Sequence, residues 1–413
     1  MPAEQILLTI LAIMVISQLF DWGLSWLNMR AHTDDVPHEL RDEIDAEKYR
    51  EGVAYHATNF RFGLIRSGMS ALIIIPLIAL GGLGWLDDQL REITAQPILL
   101  ALLFFGIVFI LSDLLSTPFT WYKTFVIEEK YGFNKMTGRT FWVDKLKGYI
   151  LTLIVGGGIL SFLFWLIGEL GSSFWWWFWI FMTLFSVVTN LFYTSWILPL
   201  FNKLSPMEEG ELRTAIEDYS HSVNFPIANI MVIDGSKRSS KANAFFSGMG
   251  KRKKVVLYDT LIDQQSTEEL VAVMAHEVGH YKKRHIYQGL VLSLIQTGVI
   301  LFILSRFLFS PELSEALGAS ETAVHLNLIA FGLLFSPIST VLGILMNIFS
   351  RKNEFEADQY AAETYSGKPL ESALLSLHTE NLSNATPHPA YVFVTYSHPP
   401  LLERLRALRA LRN

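Results

Sequence analysis

Seven stretches of the chain are apolar for long enough to cross a membrane as helices: roughly 5–27, 68–86, 97–117, 148–168, 174–199, 286–308 and 324–349. A bilayer core takes about 20 apolar helical residues, so this feature predicts a mainly α, polytopic membrane protein. Composition agrees, with 51% of the 413 residues hydrophobic and only 17% charged. The second stretch is the least regular, because "ALGGLGW" interrupts it with glycines. The first lacks a basic start and is too long for the apolar core of a signal peptide, so it is read as a span. "FWWWFW" at 174–179 reads as an aromatic belt at the membrane interface.

Charge is unevenly shared among the connections. Loops 28–67 and 118–147 hold six Lys/Arg each, segment 200–285 twelve, and the tail after 350 seven; 87–96 holds one, and 169–173 and 309–323 none. The positive-inside rule then sets the N-terminus outside and the basic loops and C-terminus in the cytoplasm. The expected organisation is 1–199 with five spans, a soluble segment 200–285, two spans in 286–349, and a second soluble segment 350–413 on the same side as the first. "KRKK" at 251–254 reads as a turn and topology signal that touches anionic lipid. A net charge of -6 gives no case for nucleic acid. The absence of cysteine excludes disulfides, thiolate metal ligands and a thiol nucleophile. Asp21 and Asp113 fall inside apolar runs, where an acid either carries function or faces a water-filled interior or a helix partner.

The chemistry is concentrated in "VMAHEVGHYKKRH", 273–285. Ser266 with Glu269 reads as a capping box that opens a helix, and apolar positions 270, 273, 274 and 278 recur at helical spacing. On that helix His276 and His280, four apart, share one face and can point two imidazoles at one ion. Glu277 is rotated about 100° from His276, poorly placed as a ligand but well placed to touch a water on the ion. This is the H-E-x-x-H pattern of two zinc ligands and a general base. His285 is expected at the membrane edge, in contact with water or headgroups.

A catalytic zinc needs a third protein ligand and one open position. "SRKNEFEADQYA", 350–361, follows the last span, and its Glu354 and Asp358 lie four apart on one face of a helix. Glu354 is the expected third ligand. Asp358 is the expected acceptor that orients an imidazole through its other ring nitrogen. Glu356 is rotated about 200° from Glu354 and faces elsewhere. The runs "IMVID", "KANAFFS" and "KVVLYD" read as short strands.

"HEVGH" at 276–280, "EFEAD" at 354–358 and "SHPPLLERL" at 397–405 together resemble the type I CAAX prenyl endopeptidases, integral membrane zinc proteases that cut near the C-terminus of prenylated proteins. "EEKYGFNKMT" at 128–137 and "KANAFFSG" at 241–248 resemble loops of that family. The resemblance implies seven transmembrane helices forming a barrel around a large chamber, with a cytoplasmic α+β zinc metalloprotease domain holding one Zn2+. It implies that His276, His280 and Glu354 hold the zinc and that Glu277 is the base. Asn243, with Ala242 and Ala244, would lie on a substrate-binding edge strand. His398 and Arg404 would contact the reacting centre or brace the zinc site. The implied substrate is a peptide or protein, prenylated or membrane-associated.

The short chain and lean loops suggest a bacterial-type member of an inner membrane, where the activity class carries over more firmly than the prenyl specificity. Three other readings compete. One is a general membrane quality-control zinc protease of the heat-shock type. Another is a metal-binding transporter. The third, an intramembrane-cleaving metalloprotease, is disfavoured because "HYKKRH" directly after the motif keeps it out of the hydrocarbon.

Overall fold

The apolar runs become long helices in the computed structural model, which describes residues 1–225, 227, 229–247 and 254–411. In chain order the first half forms α1 (Ala3–Ala31), α2 (Ala46–Ala79), α3 (Gly82–Ile93), α4 (Pro97–Tyr122), α5 (Gly138–Leu151), α6 (Gly157–Leu170) and α7 (Phe174–Phe192). Six helical stretches are long and apolar enough to cross a membrane. The fourth, Gly138–Phe201, runs 64 residues but is broken by a 3-10 turn at Gly171–Ser173. The chain folds back there, and the Phe162 and Phe181 rings pack 4.5 Å apart across the turn.

The second apolar run has different bounds from those expected. Its helix occupies Ala46–Ala79, and the turn that ends it, Leu80–Gly81, falls inside "ALGGLGW". Gly81 sits at φ 70°, a left-handed conformation that only glycine adopts without steric penalty. The residues after it form α3, whose Asp87 is fully buried with Nε2 of His325 at 2.9 Å and Nε of Arg91 at 2.8 Å.

A short α8 (Leu198–Phe201) leads into a mixed region, with α9 (Glu211–Ser222), α10 (Asp259–Gln264) and α11 (Thr267–Lys282) around a sheet. The strands are β1 (Leu204–Pro206), β2 (Asn229–Ile233), β3 (Ala244–Ser247) and β4 (Lys254–Tyr258), in spatial order β1-β2-β4-β3. β2 and β4 are parallel, and the outer pairs are antiparallel. β3 is therefore an edge strand, with Ala244 opposite Leu257. Of the "KRKK" cluster, residues 251–253 lie outside the described residues; Lys254 opens β4 and donates to Oγ of Ser195 at 3.3 Å.

The chain then forms α12 (His285–Phe307), α13 (Pro311–Ala316), α14 (Val324–Thr364), α15 (Gly367–Glu380), α16 (Pro389–Thr395) and α17 (Leu401–Ala410). The apolar part of the 41-residue α14 ends near residue 349, and its remaining turns belong to the soluble region. The membrane helices close a ring: α1 packs on α2, α2 reaches α4 through α3, and α4, α6, α7, α12 and α14 follow in contact until α14 returns to α1. The two acids within apolar runs have different fates. Asp21 joins Gln18, Ser25, Asn28 and His56 among the residues lining a cavity of about 440 Å³. Asp113 has a helix partner, with Nζ of Lys145 at 2.7 Å and the Tyr149 hydroxyl donating to it.

One buried cluster joins residues of the 200–285 stretch to residues after 350. It gathers Val255, Leu257, Leu270, Met274 and Val278 from the first with Ala361, Leu370 and Leu408 from the second. Burial of this order, roughly 1.5–3 kcal/mol per large aliphatic side chain, holds α11 against the C-terminal half of α14. The functional site forms across that contact.

Candidate metal centre and catalytic cavity

α11 starts as its cap predicts. Oγ of Ser266 accepts from the Glu269 amide at 3.3 Å, and the Glu269 carboxylate accepts from the Ser266 amide at 2.8 Å. The apolar face of the helix turns into the soluble core, which leaves His276 and His280 facing α14. Gly279 permits the approach. A Cβ at that position would come 3.0 Å from the Ala357 Cα and 3.1 Å from its carbonyl oxygen, so a side chain there would push the two helices apart.

The approach brings three donors to one point. Nε2 of His276 and Nε2 of His280 are 3.1 Å apart, Nε2 of His280 is 3.3 Å from Oε1 of Glu354, and Nε2 of His276 is 3.5 Å from Oε2 of Glu354. Ligands bonded at about 2.0–2.1 Å to a tetrahedral ion stand about 3.3 Å apart. The donor set therefore fits a small divalent metal. His276, His280 and Glu354 are the one His/Asp/Glu group of this kind among the described residues. Behind it, Nδ1 of His276 meets Oδ1 of Asp358 at 2.8 Å, and Asp358 is 1% exposed. Arg404, on the first turns of α17, donates to the same carboxylate through Nε at 2.8 Å and Nη2 at 2.6 Å.

In front lies a cavity of about 650 Å³. Ala242, Asn243, Ala244, His276, Glu277, His280, Glu354, His398 and Arg404 all line it. Of the expected site residues only Asp358 sits behind the wall. Burial raises the Glu277 carboxyl above its ordinary range, and the His276 and His280 imidazoles moderate the rise. His398 is largely exposed at the mouth, with Nε2 3.4 Å from Oε1 of Glu354. Asn243 is exposed just before β3: its carbonyl accepts from the Tyr258 amide at 3.1 Å, and its Oδ1 accepts from the Ala244 amide at 2.8 Å. Ala242 is buried in the soluble core at 8% exposure.

The lead-in to this edge strand is held by the 128–137 loop. Nζ of Lys241 lies 2.9 Å from the Tyr55 hydroxyl, 3.2 Å from Oε2 of Glu128 and 4.2 Å from the Phe133 ring centroid. The Ser240 amide donates to the Phe133 carbonyl, and the Lys135 amide to the Arg238 carbonyl, each at 3.1 Å. The loop thus fixes the strand to the membrane helices.

Two features differ from the sequence reading or were missed by it. His285 is not the exposed residue that was expected. It is 6% exposed and lines the cavity, with Nδ1 3.1 Å from Nδ1 of His280 and Nε2 3.1 Å from Oε2 of Glu356. The physical reason is Arg284, which takes φ 63° and breaks the helix between α11 and α12. Arg351, in the sequence one more basic residue after a span, has a structural role as well. Its Nη1 donates to the Val392 carbonyl at 3.1 Å and the Tyr396 carbonyl at 2.5 Å, holding the segment that carries His398.

A two-histidine, one-glutamate centre beside a buried carboxylate, at the end of a ring of apolar helices, defines a membrane-integrated metalloendopeptidase. Residues 25–203 match the CAAX prenyl protease N-terminal family, described as five membrane helices, and residues 206–412 match peptidase family M48. The chain is 35% identical to CAAX prenyl protease 1 homolog of Oryza sativa subsp. japonica, over 97% of this chain and 96% of that protein. It is 32% identical to CAAX prenyl protease 1 of Saccharomyces cerevisiae, over 90% and 88% respectively. The crystal structure of S. mikatae Ste24p superposes with a TM-score of 0.92 at 30% identity, covering 98% of this chain and 99% of that one. The chain belongs to the M48 peptidase family, in the group of the CAAX prenyl proteases.

Proposed function

We propose that the chain is a zinc endopeptidase of the CAAX prenyl protease type, holding one Zn2+ and cutting prenylated or other membrane-associated proteins near the C-terminus. The observation that carries this reading is the convergence of His276, His280 and Glu354 inside a cavity that also contains Glu277 and a strand edge. Two imidazoles and one carboxylate with a further position free is a donor set that suits catalytic zinc. The names of the relatives support the substrate class. When bound, the ion supplies Lewis acidity, which polarises a carbonyl and makes a water acidic enough to ionise near neutral pH.

The chain's own residues do the rest. A substrate lies extended along the sheet edge formed by β3 and the residues that lead into it, Ala242, Asn243 and Ala244, an edge of the kind that pairs with extended peptides. Glu277, its carboxyl raised by burial, takes the proton of the attacking water and returns it to the leaving amine; a base with a pKa nearer the working pH does this more efficiently. His398 faces the same space and donates to the developing oxyanion. Asp358 fixes the orientation of the His276 ring, and Arg404 holds Asp358 in place.

In this reading the Gly138–Phe201 stretch crosses twice, which makes seven passes. The distribution of Lys and Arg supports an external N-terminus and a cytoplasmic protease region, and the lean loops support a bacterial-type member of an inner membrane. The test pairs elemental analysis of the purified protein with cleavage of prenylated and unmodified versions of one fluorogenic peptide. The reading expects one zinc per chain and preferential cleavage of the prenylated peptide. Equal cutting of both would remove the prenyl requirement, and a different resident metal would remove zinc.

A further inference from the structure

The two histidines of the metal centre are each backed on the side away from the ion, but by different chemistry. His276 leans directly on a carboxylate. His280 leans on His285, which in turn reaches Glu356 on α14. An i to i+5 pair on a continuous helix is rotated by about 140°, so the two rings could not meet there. They meet because Arg284 stands in the left-handed region at φ 63° and lets α12 begin with His285 turned back beneath His280. A non-glycine residue in that region is a strained conformation that folds keep chiefly where geometry matters.

With Nε2 of His280 as the metal ligand, the hydrogen-bond directions along this chain follow one from another. Nε2 of His280 faces Nε2 of His276 and Glu354, so a ring that offers a lone pair there carries its proton on Nδ1. That proton is donated to Nδ1 of His285, which must present a lone pair. The proton of His285 is then on Nε2, where it is donated to the Glu356 carboxylate. We infer that His285 is a positioning residue for the metal centre, with Glu356 behind it: together they fix the tautomer and orientation of His280, as Asp358 does for His276. This rests on the reading that His280 holds the metal. Partners in this position typically contribute 10–100-fold in metal affinity.

The full-length protein in detergent, stripped with a chelator, is titrated with Zn2+ against a chromophoric competitor. His285→Phe and Glu356→Leu are expected to weaken Zn2+ binding about 10–100-fold, and the double variant to be no weaker than His285→Phe alone. His285→Gln can still accept from His280 and donate to Glu356, so it should recover affinity to within about threefold of wild type. The melting temperature of the metal-free protein should stay unchanged across the set. Wild-type affinity in His285→Phe would overturn the inference. So would a loss that His285→Gln does not rescue and that tracks a falling metal-free melting temperature, because that marks a packing role alone. A wild-type protein that binds no Zn2+ would instead defeat the metal reading on which the inference rests.

Discussion

Oδ1 of Asp358 lies 2.8 Å from Nδ1 of His276, and two guanidinium nitrogens of Arg404 grip the same carboxylate. One buried acid therefore ties α11, α14 and α17 together. Asp358→Ala is expected to lower metal affinity by about 10–100-fold. It also removes the carboxylate to which Arg404 donates and leaves it only Glu354 at 3.8 Å; breaking a buried pair costs roughly 3–5 kcal/mol. Asp358→Asn keeps an acceptor for His276 and should retain more of the metal affinity while still weakening the Arg404 grip. Chelator competition and thermal unfolding of both variants separate the two effects; equal metal loss in both would contradict this division.

The His276 ring carries a pH signature. Burial pulls its pKa down, but the hydrogen bonds it donates to the Asp358 and then the Glu354 carboxylate outweigh it, and without metal the pKa is raised to about 9. Below that pH the ring holds a proton that an incoming metal must displace; above it the ring is already free. Apparent metal affinity should therefore rise about tenfold per pH unit from neutrality to about 9 and then flatten. A profile that is level between pH 7 and 9 would count against it.

Gly279 is the contact point of α11 and α14. Gly279→Val adds branched carbon against the Ala357 backbone, which a Cβ alone would approach to 3.0 Å. Overpacking of this kind costs about 1–3 kcal/mol, and here it separates His276 and His280 from Glu354. Metal content and unfolding temperature should fall together. A Gly279→Val protein with full metal content would show that the helices tolerate the wider spacing.

Arg351 holds the Val392 and Tyr396 carbonyls just ahead of His398. Arg351→Ala should lower kcat by about tenfold or more, since displacement of a catalytic group by about 1 Å is enough for larger losses. Metal content should not change, because no metal ligand touches this arginine. Steady-state kinetics with metal analysis on the same preparation checks both halves.

Much of this was readable in advance, and the exceptions have physical causes. The pairs His276/His280 and Glu354/Asp358 follow from helical spacing, and apolar length marks most of the membrane helices. The end of α2 was missed because residues 80–86 are apolar but contain Gly81 at φ 70°, and hydropathy does not register backbone conformation. The place of His285 is hidden from the sequence for the same kind of reason: it depends on the left-handed Arg284, a residue type that seldom adopts that region. Arg351 acts on carbonyls more than 40 positions away in sequence, and no local period encodes such a contact.

The central claim is that Glu277 performs proton transfer beside a metal held by His276, His280 and Glu354. The most direct measurement is the peptide cleavage rate of metal-loaded Glu277→Gln, with metal content verified in the same sample. The variant should keep its metal and lose activity by about 10²–10⁴-fold, the usual contribution of a general base. A fully loaded Glu277→Gln that cleaves at the wild-type rate would contradict the account.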